Sequence, residues 1–272
     1  VIPSRFEYVA AGSAAEAVDL LRRHGDDAKL LAGGHSLLPM MKVRLAAPSV
    51  LVDIGAIPAL SYVRVEDGQL AIGAATTHQA VSTSPVVRAQ APLLAWSAGL
   101  VGDPQVRHRG TIGGSLAHAD PAADLPMTLS AVDGRVVVLG PSGQREIGAD
   151  EFFLGYFETA LAPDEIIVEV RMPVRPDQPW GYQKFTRRAN DWAIVGVATV
   201  AGRVALANMG PAPVRARSTE QAVAGGATAT EAARLAAEES DPAEDMHADA
   251  PYRRHLARVL TKRALIAAGV PA

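Results

Sequence analysis

The chain has 272 residues, 49% of them hydrophobic and 20% charged, and 26 Lys and Arg stand against 29 Asp and Glu for a formal net charge of −3. That is globular composition, long enough for a sizeable core and more than one lobe, with no basic field for nucleic acid. Cysteine is absent, which excludes disulfides, a thiol nucleophile, Cys-bound zinc and any iron–sulfur cluster held by cysteines of this chain.

No run approaches the about 18–20 apolar residues of a membrane span. The opening Val1-Ile2-Pro3-Ser4-Arg5-Phe6 has no apolar signal core, so the expected location is cytoplasmic. Ser13-Ala14-Ala15-Glu16 has capping-box spacing. Ala17, Val18 and Leu21 follow at helical intervals, and Gly25 ends the helix. Residues 29–32 form a short apolar strand that stops at Gly33-Gly34. Residues 37–45 read as a second helix with Pro39 in its first turn. Residues 49–55 read as a buried strand, which makes 1–55 a small βαβ-like unit.

Further on, 69–74 is a strand, and Ser84-Pro85 opens a helix that runs through Leu93 and Leu94 to Gly99. Residues 135–139 and 144–147 pair as a hairpin around Gly140-Pro141-Ser142-Gly143. A strand over 166–172 ends at Pro173, and the proline-rich stretch 173–179 is the best linker candidate. Three strands are expected over 181–186, 192–201 and 203–209, the last two joined by Ala201-Gly202. An Ala-rich helix over 228–239 follows. The last helix, 252–268, puts Leu256, Val259, Leu260 and Ala264 on one face and Arg253, Arg254, Arg258, Lys262 and Arg263 on its polar face. The expected division is 1–55, 56–175 and 176–272.

Two glycine motifs stand out: Ala32-Gly33-Gly34-His35-Ser36 and Thr111-Ile112-Gly113-Gly114-Ser115. Glycine permits positive φ and close approach of the backbone to a ligand. Consecutive amides in such a turn form an anion-binding nest, to which Ser36, Thr111 and Ser115 add hydroxyl donors. Either motif alone is also what an ordinary turn between strand and helix looks like. Neither is Gly-x-Gly-x-x-Gly or a Gly-Lys-Ser/Thr loop, which argues against a Rossmann site and a P-loop. Together they fit two contact points on one long phosphate-bearing ligand, such as a dinucleotide with its pyrophosphate.

The run from Leu31 to Lys42, Leu-Ala-Gly-Gly-His-Ser-Leu-Leu-Pro-Met-Met-Lys, resembles the first FAD loop of the medium subunit of molybdenum hydroxylases, the aerobic carbon monoxide dehydrogenase type above all. The run from Asp103 to Ser115 resembles the second FAD loop, with Ser115 where Asn is commoner. Ala119-Asp120-Pro121-Ala122-Ala123-Asp124-Leu125-Pro126 resembles the acidic stretch that follows, and the run from Lys184 to Ala193 the third block. The four blocks occur in order along essentially the whole chain. The resemblance implies an α+β fold of the PCMH FAD-binding type: two α+β subdomains plus a small C-terminal domain of a three-stranded sheet with helices. It implies an oxidoreductase subunit with FAD in this chain, and molybdopterin and two iron–sulfur clusters only on partners. Electrons would pass from a small iron–sulfur subunit, supplied by a large molybdopterin subunit, through FAD to an external acceptor, in a dimer of heterotrimers with no nucleic acid or membrane span.

The resemblance further implies that Leu31, Ala32, Gly33, Gly34, His35, Ser36 and Leu37, with Thr111, Ile112, Gly113, Gly114 and Ser115, bind FAD. Asp124 and Ile167 are expected to touch it too. Lys184 would lie near the flavin, and Trp192 would cover the flavin ring. The residues themselves leave other readings open. Asp124 also suits helix N-capping, Asp120 a turn before Pro121, Lys184 a solvated strand, and Trp192 a core or interface position. Arg107, His108 and Arg109 would add positive field near the pyrophosphate or be solvated. His35, His108 and His118 lack metal-ligand spacing; His35 is the first candidate for a covalent flavin link, as happens in some relatives of the wider fold, and otherwise a hydrogen-bond donor. The alternative functions are a hydroxylase subunit for N-heterocycles, aldehydes or purines, a stand-alone flavin oxidase, and a flavin-free scaffold.

Overall fold

The computed structural model describes residues 2–272. Its first unit comprises β1 (Glu7–Ala10), α1 (Ala14–His24), β2 (Ala28–Leu31), α2 (Leu37–Lys42) and β3 (Val50–Asp53). The three strands form a parallel sheet with β3 central. Parallel strands need crossover connections: α1 carries the chain from β1 past the central β3 to β2 while burying Ala17, Val18, Leu20 and Leu21, and α2 lies in the connection from β2 to its neighbour β3. Ser13 caps α1 by accepting from the Glu16 amide at 3.1 Å, but the Glu16 carboxylate reaches back to the Gly12 amide at 2.8 Å, one residue beyond a standard capping box. The pattern reading misses β1 because this edge strand is mostly exposed and shows no apolar alternation. The second helix stops at Lys42, short of Leu45.

The second unit adds β4 (Val63–Glu66), β5 (Gln69–Gly73), α3 (His78–Thr83), α4 (Pro85–Gln90), α5 (Pro92–Gly99), α6 (Pro104–Arg109), α7 (Ile112–His118), α8 (Asp124–Ala131), β6 (Arg135–Gly140), β7 (Gly143–Gly148), α9 (Ala149–Phe152), β8 (Phe153–Gly155), β9 (Glu158–Thr159) and β10 (Ile166–Pro173). Five of the strands make an antiparallel sheet in the order β4-β5-β10-β6-β7. A register shift in β10 between Ile167 and Glu169 accompanies burial on two sides. Ile167, Val170 and Met172 join the core under α5, α7 and α8, whereas Ile166 and Val168 face the α1 side. The single helix expected over 84–99 is two. Ala91 sits at φ −146°, ψ 65°, since the ring of Pro92 disfavours helical backbone at the residue before it.

The third unit holds β11 (Trp180–Phe185), β12 (Val195–Val200), β13 (Arg203–Ala207), β14 (Val214–Arg215), α10 (Arg217–Ala224), α11 (Ala229–Ala232) and α12 (Ala250–Ala267). Its sheet has four strands, not the expected three, in the order β11-β12-β13-β14. The two-residue β14 is too short for a periodic signal and is defined by pairing with β13. The helix expected over 228–239 is one capped turn, with a full capping box at Thr228 and Glu231, followed by a 3₁₀ turn. The chain is then drawn back to the sheet, where the Asp241 amide meets the Met209 carbonyl at 2.9 Å. Arg253 is not on a polar face. It is 1% exposed, donates from Nη1 to the Ile194 carbonyl and pairs through Nη2 with Asp245 at 2.6 Å, so both terminal nitrogens are engaged inside while Nε has no partner among the described residues. Among the described residues no helix is long and apolar enough to cross a membrane.

Candidate functional site

At the end of β2 the Leu31 carbonyl accepts from Ile54 at 2.9 Å, and the chain then leaves the sheet through Gly33-Gly34 into α2. Gly34 has φ +75°, the left-handed region that an L side chain adopts only with strain. Leu31 and Leu38, rather than Leu37, pack on that turn. Among the described residues no protein acceptor meets the amides of Gly33, Gly34, His35, Ser36 or Leu37. Ser36 makes no capping bond with its hydroxyl. Half-buried amides normally find partners. Five successive free donors around a left-handed glycine make a concave seat for an anion, which fits the pyrophosphate of FAD.

The second motif is wired differently. Thr111 caps α7 by accepting from the Gly114 amide at 3.1 Å. The Ile112 amide donates to Thr76 O at 3.0 Å, that of Gly113 to Ala74 O at 2.9 Å and that of Ser115 to Thr111 O at 3.0 Å. Four amides that the sequence offered for a ligand are thus committed within the protein. A Cβ on Gly113 would stand 2.6 Å from Ala74 Cβ, so this glycine lets α7 close onto the end of β5. Among the described residues the free donors left to the motif are the Thr111 amide and the hydroxyls. The two motifs nevertheless meet: a Cβ on Gly33 would lie 2.2 Å from Arg109 O and 2.7 Å from Gly110 Cα. Just before this contact Arg107 is turned to the carbonyls of Val101 and Gly102, at 3.1 and 2.9 Å. His108 Nδ1 lies 2.6 Å from Pro104 O. His35 is exposed, and His118 packs on Phe157 with ring centroids 5.1 Å apart.

Beyond α7, Asp120 closes a turn by accepting from the Ala122 amide at 2.8 Å. Asp124 opens α8 without capping it. Its carboxylate is buried, accepts from Lys184 Nζ at 2.9 Å and, on its other oxygen, from the Tyr182 hydroxyl. Burial pushes the Asp124 carboxyl up and the adjacent Lys184 ammonium opposes that. Burial and the facing Asp124 charge hold the Tyr182 phenol well above its ordinary range. Lys184 is therefore neither a solvated strand lysine nor an unpaired cation. Tyr182 escaped the sequence reading, although its spacing of two from Lys184 puts both on one face of β11. Asn208 also escaped it. Held at φ +60°, it donates from its amide to Pro121 O at 2.7 Å and from Nδ2 to Ala193 O at 2.8 Å, tying the acidic stretch to the connection that carries Trp192. Trp192 stands three residues before β12 rather than in it, and is 55% exposed. Ile167 lies in the core with Ile112 and Leu116.

Residues 4–175 match the family described as the FAD binding domain in molybdopterin dehydrogenase, and residues 180–268 the CO dehydrogenase flavoprotein C-terminal domain. The chain is 45% identical to the carbon monoxide dehydrogenase medium chain of Hydrogenophaga pseudoflava, over 98% of each chain. It is 37% identical to the 6-hydroxypseudooxynicotine dehydrogenase complex subunit alpha of Paenarthrobacter nicotinovorans, over 97% of this chain and 94% of that one. Among solved structures, carbon monoxide dehydrogenase from Hydrogenophaga pseudoflava superposes with a TM-score of 0.96 at 46% identity, covering 99% of both chains. With both domain matches and full-length relatives above 30% identity, the chain belongs to the FAD-binding medium subunits of the molybdopterin dehydrogenases, of the carbon monoxide dehydrogenase type.

Proposed function

We propose that this chain carries FAD between an iron–sulfur subunit and an external electron acceptor, in a cytoplasmic dimer of heterotrimers whose large molybdopterin subunit oxidises carbon monoxide. The observation that carries the FAD reading is the run of five unpartnered amides from Gly33 to Leu37. When bound, FAD supplies the redox chemistry that joins one-electron iron–sulfur donors to the acceptor. With no cysteine in its 272 residues, the chain must receive electrons from clusters held elsewhere. The first loop binds the pyrophosphate through its amides and Ser36, and Thr111 and Ser115 add hydroxyls. Asp124 accepts from ribose or ribityl hydroxyls. Lys184 and Tyr182 each bond one oxygen of that carboxyl and hold it oriented, so the group presents a fixed dipole rather than a bare cation. Trp192 shields the flavin ring from solvent.

Carbon monoxide is favoured over an N-heterocycle by the 45% identity to the Hydrogenophaga pseudoflava medium chain and its TM-score of 0.96, against 37% to the pseudooxynicotine subunit, although a second carbon monoxide dehydrogenase medium chain is 35% identical. The test is a visible spectrum of the purified complex, repeated on the supernatant after heat precipitation. Stoichiometric FAD in the supernatant, with iron–sulfur absorbance only when a cysteine-bearing partner is present, is the expected result. A folded complex that is colourless and takes up no added FAD defeats the reading. Flavin retained in the precipitate replaces the non-covalent seat with a covalent link, for which His35 is the residue to substitute first.

A further inference from the structure

The ring of His78 occupies the seam between the two glycine motifs, and no role above uses it. Its amide donates to Gly110 O at 2.9 Å. Its ring lies so close on Gly110 that a Cβ there would stand 2.8 Å from Cδ2 and 2.9 Å from Nε2. Gly110 is in turn part of the surface on which Gly33 rests. The residue is 4% exposed, and Nδ1 is sealed from solvent with no hydrogen-bond partner among the described residues. Burial, with His35 on the first loop and Arg107 on α6 facing it, pushes the imidazole down to about 4. At neutral pH the ring carries one N–H and one lone pair. Nε2 lies on the side of the ring next to Gly110, the residue on whose backbone Gly33 in turn rests.

We propose that His78 is a further residue of the FAD seat, donating from Nε2–H to a diphosphate oxygen held by the first loop. This rests on the FAD reading above. An imidazole donor that stays uncharged adds a directed hydrogen bond without placing another cation beside Arg107. It also explains why a polar ring fills a position where packing alone is served by an apolar side chain of similar size.

The test uses the FAD-stripped complex, titrated calorimetrically with FAD, ADP and riboflavin. His78→Leu is expected to weaken FAD and ADP alike by about tenfold, with riboflavin unaffected. His78→Gln, which keeps an N–H at similar reach, is expected to stay within about threefold of wild type. Melting temperatures are read alongside, and if Leu prevents folding, His78→Phe takes its place on the same criterion. Unchanged ADP affinity in the Leu or Phe variant overturns the proposal. So does an equal loss in the Gln variant, which reduces His78 to a prop under Gly110. A stripped wild-type complex that binds neither FAD nor ADP overturns the FAD reading, and this proposal with it.

Discussion

Gly33-Gly34 and Gly113-Gly114 each stand beside a hydroxyl residue at the start of a short helix, yet the backbone around them is used in opposite ways. The first pair lies in a loop whose five amides from Gly33 to Leu37 have no acceptor among the described residues, with Gly34 at positive φ. The second pair sits inside the first turn of α7, and the amides from Ile112 to Ser115 are all taken by Thr76, Ala74 and Thr111. In the first, small size lets the loop rest on Arg109 and Gly110 while its donors stay open. In the second, it lets a helix close onto a strand end. A paired glycine in sequence thus announces that something comes close; whether that is a ligand or the protein itself depends on where the amides are satisfied.

Valine at Gly33 against valine at Gly113 separates the two uses most strongly. At Gly33 the new Cβ meets the Arg109 carbonyl at 2.2 Å, so the loop must lift from its support. We expect FAD retention to be lost after desalting, with a stability change of about 1 kcal/mol or less, since the loop is at the surface. At Gly113 the clash is with Ala74 at 2.6–2.7 Å, inside the fold. Overpacking there is expected to cost about 3 kcal/mol, a fall in melting temperature of roughly 5–10 °C. Thermal melts and flavin occupancy on the same samples decide it. A Gly113→Val protein that melts like wild type and only loses FAD breaks the comparison.

The seam between the motifs gives a pH signature of the next size. The imidazole of His78 lies at about 4 in the fold against 6.5 in an open chain. Between those values the unfolded chain binds more protons than the folded one, so stability falls as pH drops from 6.5 toward 4. The full difference amounts to about 3 kcal/mol. Urea midpoints at pH 7.5 and 4.5 for wild type and His78→Leu read it: the wild-type midpoint is expected to fall further than that of the variant. Parallel slopes place the charge cost elsewhere. The buried Asp124–Lys184 pair is common to both proteins and cancels in the difference.

How much of this was legible depends on what each feature is made of. The cap and stop of α1, the β6–β7 hairpin and the strands around 29–32, 69–74 and 166–172 are local patterns, and the sequence displays them. β1 and β14 are short edges specified by their neighbours, so no periodicity marks them. Pro92 is plain in the sequence, but the apolar run that continues past it hides the break it imposes at Ala91. At the site, the residues of both loops and Asp124 were legible through resemblance, and the Tyr182–Lys184 spacing was readable as one strand face. His78 and Asn208 were not, because each acts through contacts with segments far away in sequence. Nor does any pattern reveal that the second motif's amides are already engaged.

The smallest expected effect follows from that last point and asks how the second motif contributes at all. Neither Ser36 nor Ser115 uses its hydroxyl within the described protein, so replacing either with alanine is expected to change stability by less than about 0.5 kcal/mol. Ser36 is one donor among several in the first loop, and neighbouring amides absorb its loss. Ser115 stands in a motif whose amides from Ile112 to Ser115 are committed, where few donors besides the hydroxyls remain. Ser115→Ala is therefore expected to weaken FAD by about fivefold, near 1 kcal/mol, and Ser36→Ala by about twofold, both read by titrating the stripped complex. Equal losses mean that the second motif frees its amides when ligand arrives, and that the difference between the two loops belongs to the protein alone. No loss at Ser115 means that the second motif shapes the seat purely by packing, through Gly110 and Gly113, and that the first loop holds the pyrophosphate by itself.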